Sequence, residues 1–310
     1  MSPVIVKVLE PIGFENSFWI DELRKEFPIE IEYIDTRGFS DEKLLEFVKE
    51  ATALILSNRP LSRKVLSSCS NLKFISVAFT GIDHVDAKEI ATKNIIIKNA
   101  AGYATHAVAE LTIGLALQLY RKIKESSESI TQENANQFPL GKELFGKTVG
   151  IIGGGSIGNE VARLFEAFGC ITLKYRRGSS SLEKILKIAD ILSLHLPLSS
   201  ETRHFINKER LSLMKPSAIL INTARGPIID QEALCFSLTS NELAGAALDV
   251  FDIEPPLPSE HPLLKASNVL LLTPHIGYRT EEAALKKASI AISNLRQWLQ
   301  TKLLETQDLQ

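Results

Sequence analysis

Short apolar runs, many of them β-branched, alternate with amphipathic stretches along the 310 residues of this chain. Such alternation is typical of α/β proteins with parallel sheets. The stretch 41–50, for example, places Leu44, Leu45 and Val48 on one face of a predicted helix. A first series of strands is predicted at 4–9, 29–34, 53–56, 74–79 and 95–98. A second series is predicted at 148–152, 171–175, 191–196, 218–222, 246–250 and 269–272.

Helices between these strands complete two doubly wound, Rossmann-like parallel sheets in this interpretation. A helix predicted from Thr105 to Lys122 is apolar nearly all round, so we expect it to be buried. We predict a flavodoxin-like, substrate-binding domain from residues 1–99 together with 281–310. Residues 100–280 are predicted to form a dinucleotide-binding domain, and the active site is expected in the cleft between the two.

A glycine-rich turn directly follows the predicted strand 148–152. Its three glycines have the G-x-G-x-x-G spacing: Gly153, Gly155 and Gly158. In a strand–turn–helix context this spacing indicates dinucleotide binding, because the glycines permit a tight turn, a close approach to pyrophosphate and close helix packing. The free N–H groups at the helix start, near Ser156 and Ile157, are expected to bind the phosphates. A glycine-rich turn without a ligand is the alternative.

The residues after the second strand of this unit bear on the cofactor. An acid that binds the ribose 2′-OH is expected there, but Tyr175-Arg-Arg-Gly-Ser179 holds no carboxylate. Arg176 and Arg177 could instead bind a 2′-phosphate, and Ser179 could add a hydroxyl donor. We therefore predict NADP(H) as the preferred cofactor, with NAD(H) possible. The alternative is an exposed basic turn beside a tolerant pocket.

Three polar residues follow three apolar strands of the second series: Arg225, Glu254 and His275. Parallel strands point the same way, so their carboxyl ends line one edge of the sheet, where α/β folds bind ligands. A guanidinium, a carboxylate and an imidazole gathered there would form an anion clamp and an acid–base pair. The sequence therefore predicts a reaction site. His195 also ends a predicted strand and is the rival general acid.

Many segments, in order, resemble the D-isomer-specific 2-hydroxyacid dehydrogenases, a family that includes glyoxylate/hydroxypyruvate reductases and phosphoglycerate dehydrogenases. The resemblance extends from about Ser76 to Thr280. The matching segments are 81–86, 107–111, 146–153, 195–197, 222–226, 247–251, 254–255 and 273–277. Phe79 departs from the glycine of the phosphoglycerate branch, and Ala101 and Ala104 stand where proline and asparagine are common. These departures favour a compact reductase of small 2-oxo acids.

The resemblance implies hydride transfer between NADP(H) and a small 2-oxo acid or D-2-hydroxy acid, with glyoxylate and hydroxypyruvate as candidates. Arg225 would hold the substrate's carboxylate, and Glu254 would favour the imidazolium form of His275, which donates the proton. Further substrate contacts are expected from the backbone of Ala78, Phe79, Thr80 and Gly81. Further cofactor contacts are expected from His195, Pro197, Thr202, Thr223, Ala224 and Asp249.

Composition excludes several other classes of function. The net charge is −2 and charged residues make up 23% of the chain, so nothing indicates a nucleic-acid or membrane-surface partner. Cys69, Cys170 and Cys235 are scattered, which favours reduced thiols over disulfides or a metal site. No uncharged run approaches the ~18–20 residues of a membrane span. We expect a cytoplasmic protein without a metal, and the resemblance favours a homodimer.

Three alternatives remain at this point. The chain could be a nucleotide-sensing scaffold or corepressor of the same fold, although Arg225, Glu254 and His275 are all present. It could be an NAD-dependent D-2-hydroxyacid dehydrogenase. It could also be a formate dehydrogenase, but the resemblance implies that those enzymes lack the glutamate.

Asp86, with Glu89 three residues later, is predicted to be a helix-capping pair and not a catalytic dyad.

Overall fold

The structure of the protein is a computed structural model that describes residues 3–13, 16–130, 140–176, 178, 182–266 and 270–307. The chain divides into two compact units. Unit 1 comprises Met1–Ala104 and Arg279–Gln310, and unit 2 comprises Thr105–Tyr278. The predicted division at 99/100 and 280/281 therefore lies five residues before the first boundary and two residues after the second.

Unit 1 contains a five-stranded parallel sheet with the order β2-β1-β3-β4-β5. This is the strand order of a flavodoxin-like sheet. The strands are β1 (Val4–Val8), β2 (Ile29–Tyr33), β3 (Ala53–Leu56), β4 (Phe74–Val77) and β5 (Ile96–Asn99). The helices are α1 (Asn16–Glu26), α2 (Asp41–Val48), α3 (Arg63–Ser68), α4 (Ala87–Thr92) and α12 (Glu281–Gln307).

The long C-terminal helix α12 packs against the sheet of unit 1. Its Trp298 stacks on Phe74 of β4, with the ring centroids 5.0 Å apart. Every residue of β3 and β4 is buried, as the apolar sequence of β3 predicts. The one polar residue of β4, Ser76, donates to the carbonyl of Ala291 on α12 at 2.9 Å. Asp86 caps α4 by accepting a hydrogen bond from the backbone N–H of Glu89 at 2.8 Å, which confirms the predicted capping pair.

Unit 2 contains a six-stranded parallel sheet with the order β11-β10-β9-β8-β6-β7. The strands are β6 (Thr148–Ile152), β7 (Ile171–Tyr175), β8 (Ile191–Leu194), β9 (Ile219–Asn222), β10 (Gly245–Leu248) and β11 (Leu270–Leu272). The helices are α5 (Thr105–Arg121), α6 (Ile123–Glu128), α7 (Ser156–Ala167), α8 (Leu182–Ile188), α9 (Lys208–Ser212), α10 (Gln231–Thr239) and α11 (Pro262–Lys265). The predicted fold class, two parallel α/β sheets, is confirmed.

The helix α5 is buried on one face only, which corrects the expectation that it would be buried all round. Val108, Ile113 and Leu115 are buried, whereas Glu110 and Gly114 are exposed. The apolar residues that made the sequence appear uniformly buried include Leu117 and Leu119, which are only half-buried. This leaves part of an apolar helix surface accessible within unit 2.

Candidate active site

Three neighbouring strands of unit 2 lead into the segments that carry the predicted catalytic residues. In the register of the sheet, Leu248 of β10 pairs with Asn222 of β9 on one side and with Leu272 of β11 on the other. Arg225, Glu254 and His275 therefore follow adjacent parallel strands at one edge of the sheet. The predicted arrangement of these strand ends is confirmed.

The side chains of Glu254 and His275 lie within ion-pair distance of each other. The imidazole Nδ1 lies 3.2 Å from Glu254 Oε2, and the two side chains are 23% and 48% exposed, with the imidazole the less exposed. The rings of His275 and Tyr278 meet edge to face, with their centroids 5.4 Å apart. Because Nδ1 faces the carboxylate, Nε2 is the ring nitrogen left to exchange a proton with a ligand.

The backbone at His275 is held in an uncommon conformation by Asp249. His275 has φ of +54°, in the left-handed region that non-glycine residues rarely occupy. The buried carboxylate of Asp249 accepts hydrogen bonds from Thr273 Oγ1 at 2.6 Å and from the N–H groups of Ile276 and Gly277, both at 2.8 Å. Asp249 thus fixes the turn on both sides of His275. Its predicted contact with nicotinamide stays a prediction.

Arg225 lies in a turn that Asn222 and Gly226 define. The side chain of Asn222 accepts from the N–H of Ala224 at 3.0 Å and donates to the carbonyl of Arg225 at 2.9 Å. A Cβ placed on Gly226 would lie 1.9 Å from the carbonyl carbon of Phe251, so only glycine fits there. This close approach packs the segment of Arg225 against the start of the segment that carries Glu254. The guanidinium itself is half-buried.

Sequence reasoning missed a second pair that fastens the loop of Glu254. His261 is buried; its Nε2 lies 3.0 Å from Asp252 Oδ1, and its Nδ1 accepts from the N–H of Leu263 at 3.4 Å. Burial alone would raise the pKa of the Asp252 carboxyl, but the hydrogen bonds from His261 and Ile253 hold it below its usual value. No spacing in the sequence signals this pair, since neither residue belongs to a recognisable motif.

The glycine loop between β6 and α7 has the geometry that a dinucleotide requires. Gly153 has φ of +114°, and a Cβ there would lie 2.3 Å from the carbonyl oxygen of His195. Gly155 caps α7, has open space where a side chain would stand, and leaves the helix without a side-chain cap. The first amides of α7, at Ser156 and Ile157, are thus available to phosphate oxygens. Since β7 and β8 flank β6, the loop also lies where the strand order reverses.

Further predicted cofactor residues lie in unit 2. Arg176 is exposed, and its Nε lies 2.7 Å from the position of a Cβ on Gly154, so its side chain covers the loop. Thr202 Oγ1 donates to the carbonyl of Pro197 at 2.6 Å, and Thr223 Oγ1 lies 3.1 Å from Thr112 Oγ1. Arg177 and Ser179 lie outside the described residues.

His195 occupies an environment unlike that of His275. Its Nε2 lies 2.8 Å from Ser193 Oγ, while Nδ1 is enclosed and has no hydrogen-bond partner among the described residues. Burial lowers the pKa of His195 to about 3. The ring is therefore neutral near pH 7, which argues against the alternative that it is the general acid.

The predicted substrate loop of unit 1 presents a row of fixed peptide planes. The carbonyl of Ala78 accepts from Ser57 Oγ at 3.3 Å, that of Phe79 from the N–H of Ala100 at 3.0 Å, and that of Thr80 from Asn99 Nδ2 at 2.6 Å. In a trans peptide the following N–H points away from the carbonyl. Within the described chain, the N–H groups of Thr80 and Gly81 have no acceptor.

Comparison with known proteins assigns the family. Residues 113–277, more than half of the chain, match the sequence model described as "D-isomer specific 2-hydroxyacid dehydrogenase, NAD binding domain". The chain belongs to the D-isomer-specific 2-hydroxyacid dehydrogenases. The predicted resemblance is confirmed, and the chain is a nicotinamide-dependent oxidoreductase of 2-hydroxy and 2-oxo acids.

Relatives within this dehydrogenase family cover nearly the whole chain. A glyoxylate reductase of Thermofilum pendens is 41% identical over 275 residues, covering 83% of this chain and 80% of the relative. The crystal structure of a glyoxylate reductase from Paecilomyes thermophila is 28% identical, with a TM-score of 0.88 and 96% of each chain covered. An acyclic imino acid reductase in complex with NADPH and D-Arg is 27% identical, with a TM-score of 0.84, and covers 97% of this chain and 98% of its own.

Two features of other protein classes are missing from the described part of this dehydrogenase. None of its helices there is both long and apolar enough to cross a membrane. The same residues contain no group of three or more His, Cys, Asp or Glu side chains that could hold a metal ion.

Proposed function

We propose that the protein reduces a small 2-oxo acid to the D-2-hydroxy acid with NADPH, with glyoxylate and hydroxypyruvate as the candidate substrates. The observation that carries this proposal is the Glu254–His275 pair, which follows two strands of the sheet that also carries Arg225 and the glycine loop. Two of the similar proteins named above are glyoxylate reductases, which supports the choice of substrate.

The residues of unit 2 supply the proton transfer and the electrostatic stabilisation. A bound nicotinamide supplies the hydride that reaches the 2-oxo carbon. His275 gives the proton on Nε2 to the carbonyl oxygen, while Nδ1 faces Glu254, which keeps the ring oriented. Arg225 holds the substrate's carboxylate and stabilises the charge that develops on the carbonyl oxygen. In the oxidative direction His275 takes the proton back.

The loop at 78–81 is proposed to bind the substrate's carboxylate through its backbone. The carbonyls of Ala78, Phe79 and Thr80 accept hydrogen bonds from other residues of unit 1, and the amides of Thr80 and Gly81 lack an acceptor within the described residues. Fixed N–H groups of this kind bind an anion without first having to reorganise. Phe79 is buried beside Tyr103, with the ring centroids 6.0 Å apart, which favours a small substrate at this loop.

NADP(H) is proposed as the preferred cofactor because of Arg176. Its exposed guanidinium lies against the glycine loop, at the end of the strand where the adenosine ribose is expected. A guanidinium there can bind a 2′-phosphate through two charged hydrogen bonds, whereas it binds a neutral ribose hydroxyl more weakly. NAD(H) is the second cofactor to test.

A homodimer is proposed because unit 2 exposes two large apolar side chains near a groove. The groove, of about 380 Å³, is lined by apolar residues of α11 and β11 and by charged residues of α6. Leu264 in its lining is 49% exposed, and Ile123, which precedes the lining residue Lys124 on α6, is 52% exposed. Apolar patches of this kind are typical of interaction surfaces, and the family resemblance favours a second copy of the chain as the partner.

The test is turnover by the purified chain with NADPH or NADH and a panel of 2-oxo acids, followed by nicotinamide absorbance. We expect NADPH-dependent reduction of glyoxylate or hydroxypyruvate. His275→Asn, which tolerates the left-handed backbone, should lower kcat about a thousandfold while NADPH binding persists. His204→Asn is the matched control, because His204 also has a positive φ, of 50°, but is exposed. Failure to reduce any 2-oxo acid would contradict the proposal.

A further inference from the structure

A buried lysine lies beneath the proposed carboxylate loop. Lys287, on α12, is 8% exposed, and its Nζ lies 3.3 Å from Ser57 Oγ. Lysine is rarely buried to this extent, because removing an ammonium from water costs several kcal/mol unless it is compensated by partners. Burial lowers the pKa of Lys287, although the charge of Glu10 opposes that effect. The burial therefore requires an explanation.

Ser57 connects Lys287 to the loop. An ammonium can only donate hydrogen bonds, so Ser57 Oγ accepts from Lys287 and directs its own proton to the carbonyl of Ala78, 3.3 Å away. The ammonium thereby fixes the hydroxyl in one orientation. It also polarises the hydroxyl, which strengthens the bond to Ala78.

Glu10 holds the other side of Ser57. One oxygen of this buried carboxylate accepts from the N–H of Ser57 at 2.8 Å and from that of Arg59 at 2.7 Å. Glu10 follows β1 and Ser57 follows β3, which are the strands where the order β2-β1-β3-β4-β5 reverses. Open α/β sheets bind their ligands at such a reversal. Lys287, Ser57 and Glu10, the switch-point cluster, thus stand at the ligand-binding edge of unit 1.

We propose that Lys287 is a positioning residue for the substrate's carboxylate, acting through Ser57 on the carbonyl of Ala78. Ser57 holds this carbonyl at the start of the loop whose Thr80 and Gly81 amides are proposed to bind the carboxylate, and so fixes where the loop begins. This inference rests on the proposed function, in which the loop binds a carboxylate.

The test compares Lys287→Met, which keeps an unbranched apolar side chain, with Lys286→Met, its exposed neighbour on α12. For Lys287→Met we expect KM for the 2-oxo acid to rise about tenfold, the effect of one charged hydrogen bond, with kcat and KM for NADPH within about twofold. Lys286→Met should leave all three unchanged. A purely structural role for Lys287 would instead alter NADPH binding and the melting temperature together with the KM for the acid.

A double-mutant cycle with Ser57→Ala keeps the inference testable even if Lys287→Met folds poorly. If Lys287 acts through Ser57, each change alone raises KM for the acid and the double variant shows little further rise. Independent, multiplying effects would overturn the route through Ser57. An unchanged KM in Lys287→Met, with normal wild-type turnover, would overturn this inference alone. If the wild-type protein reduces no 2-oxo acid, both this inference and the proposed function are wrong.

Discussion

Two histidines that follow strands of the same sheet show how the surroundings of a side chain set its chemistry. His275 faces a carboxylate and keeps part of its ring accessible. His195 contacts only the hydroxyl of Ser193 on one nitrogen, and burial lowers the pKa of His195 to about 3. Burial penalises the charged form of His195. His195 is therefore poorly suited to hold a proton near neutrality, whereas the ring of His275 remains accessible beside a carboxylate.

The buried neutral state of His195 predicts a pH dependence of stability. The pKa of His195 is about 3 in the folded chain and near 6.5 in the unfolded chain. Between these pH values the unfolded chain binds a proton at His195 and the folded chain does not. Stability from this residue is therefore complete above about pH 6.5 and falls as the pH drops towards 3. At pH 5 the loss is about 2 kcal/mol.

Replacement of His195 by glutamine should remove this dependence. Melting temperatures at pH 7.5 and pH 5 should converge in His195→Gln, whatever its absolute stability, while the wild-type protein melts earlier at pH 5. His106→Gln serves as the control, because that histidine is 71% exposed. Parallel changes in the wild-type protein and in His195→Gln would count against a neutral His195.

The sequence allowed candidate site residues to be chosen by their place at the end of a strand. Arg225, Glu254, His275 and the glycine loop could be predicted because parallel strands all end at one edge. The supporting contacts could not be predicted in this way. The bonds of Asp249 span 24 to 28 residues, and that between Lys287 and Ser57 spans 230. Only the folded chain brings such partners together.

At the scale of elements, apolar runs predicted the strands but not where pairing ends. The runs 74–79 and 191–196 were predicted as strands, yet β4 ends at Val77 and β8 ends at Leu194. Ala78 and Phe79 are nonetheless buried, in the loop. Hydrophobic periodicity reports burial, whereas a strand also needs a neighbour for its hydrogen bonds. The residues beyond these strand ends include the proposed substrate and cofactor contacts.

The turn of His275 depends on one carboxylate, which predicts the effect of Asp249→Asn. In the variant the amide NH₂ would face one of the N–H groups of Ile276 and Gly277, and two donors would then oppose each other in a buried position. We expect a loss of about 1–3 kcal/mol of stability and a fall in kcat of about tenfold or more, because His275 leaves its position.

A stability-matched variant separates the two effects. Asp230→Ala removes the N-cap of α10, where the carboxylate accepts from the N–H of Ala233 at 3.0 Å. It should cost about 1 kcal/mol of stability and leave kcat unchanged. If Asp249→Asn lowers the melting temperature like Asp230→Ala but retains kcat, the turn does not control His275.

At the scale of the whole molecule, unit 1 is built from both ends of the chain and unit 2 from its middle. The sequence predicted this division, because the strand series restarts at 148–152 and a final helix returns after the last strand. The unit boundaries nevertheless differ from the prediction by two to five residues, since helices α5 and α12 start within a few residues of both crossings. The apolar pattern of the sequence does not show which of the two units a residue near such a chain crossing contacts.

The exposed apolar surface of unit 2 predicts the last property, association of two copies of this chain. A dimer should give twice the chain mass of 34.3 kDa by light scattering. Ile123→Glu combined with Leu264→Glu should shift the protein to the monomer, because burying two unpaired carboxylates in an interface costs several kcal/mol. Ile96→Glu is the matched control, since Ile96 of unit 1 is also 49% exposed. A wild-type protein that is monomeric would contradict the proposed dimer. A dimer that persists in the double variant would show that it does not form through Ile123 and Leu264.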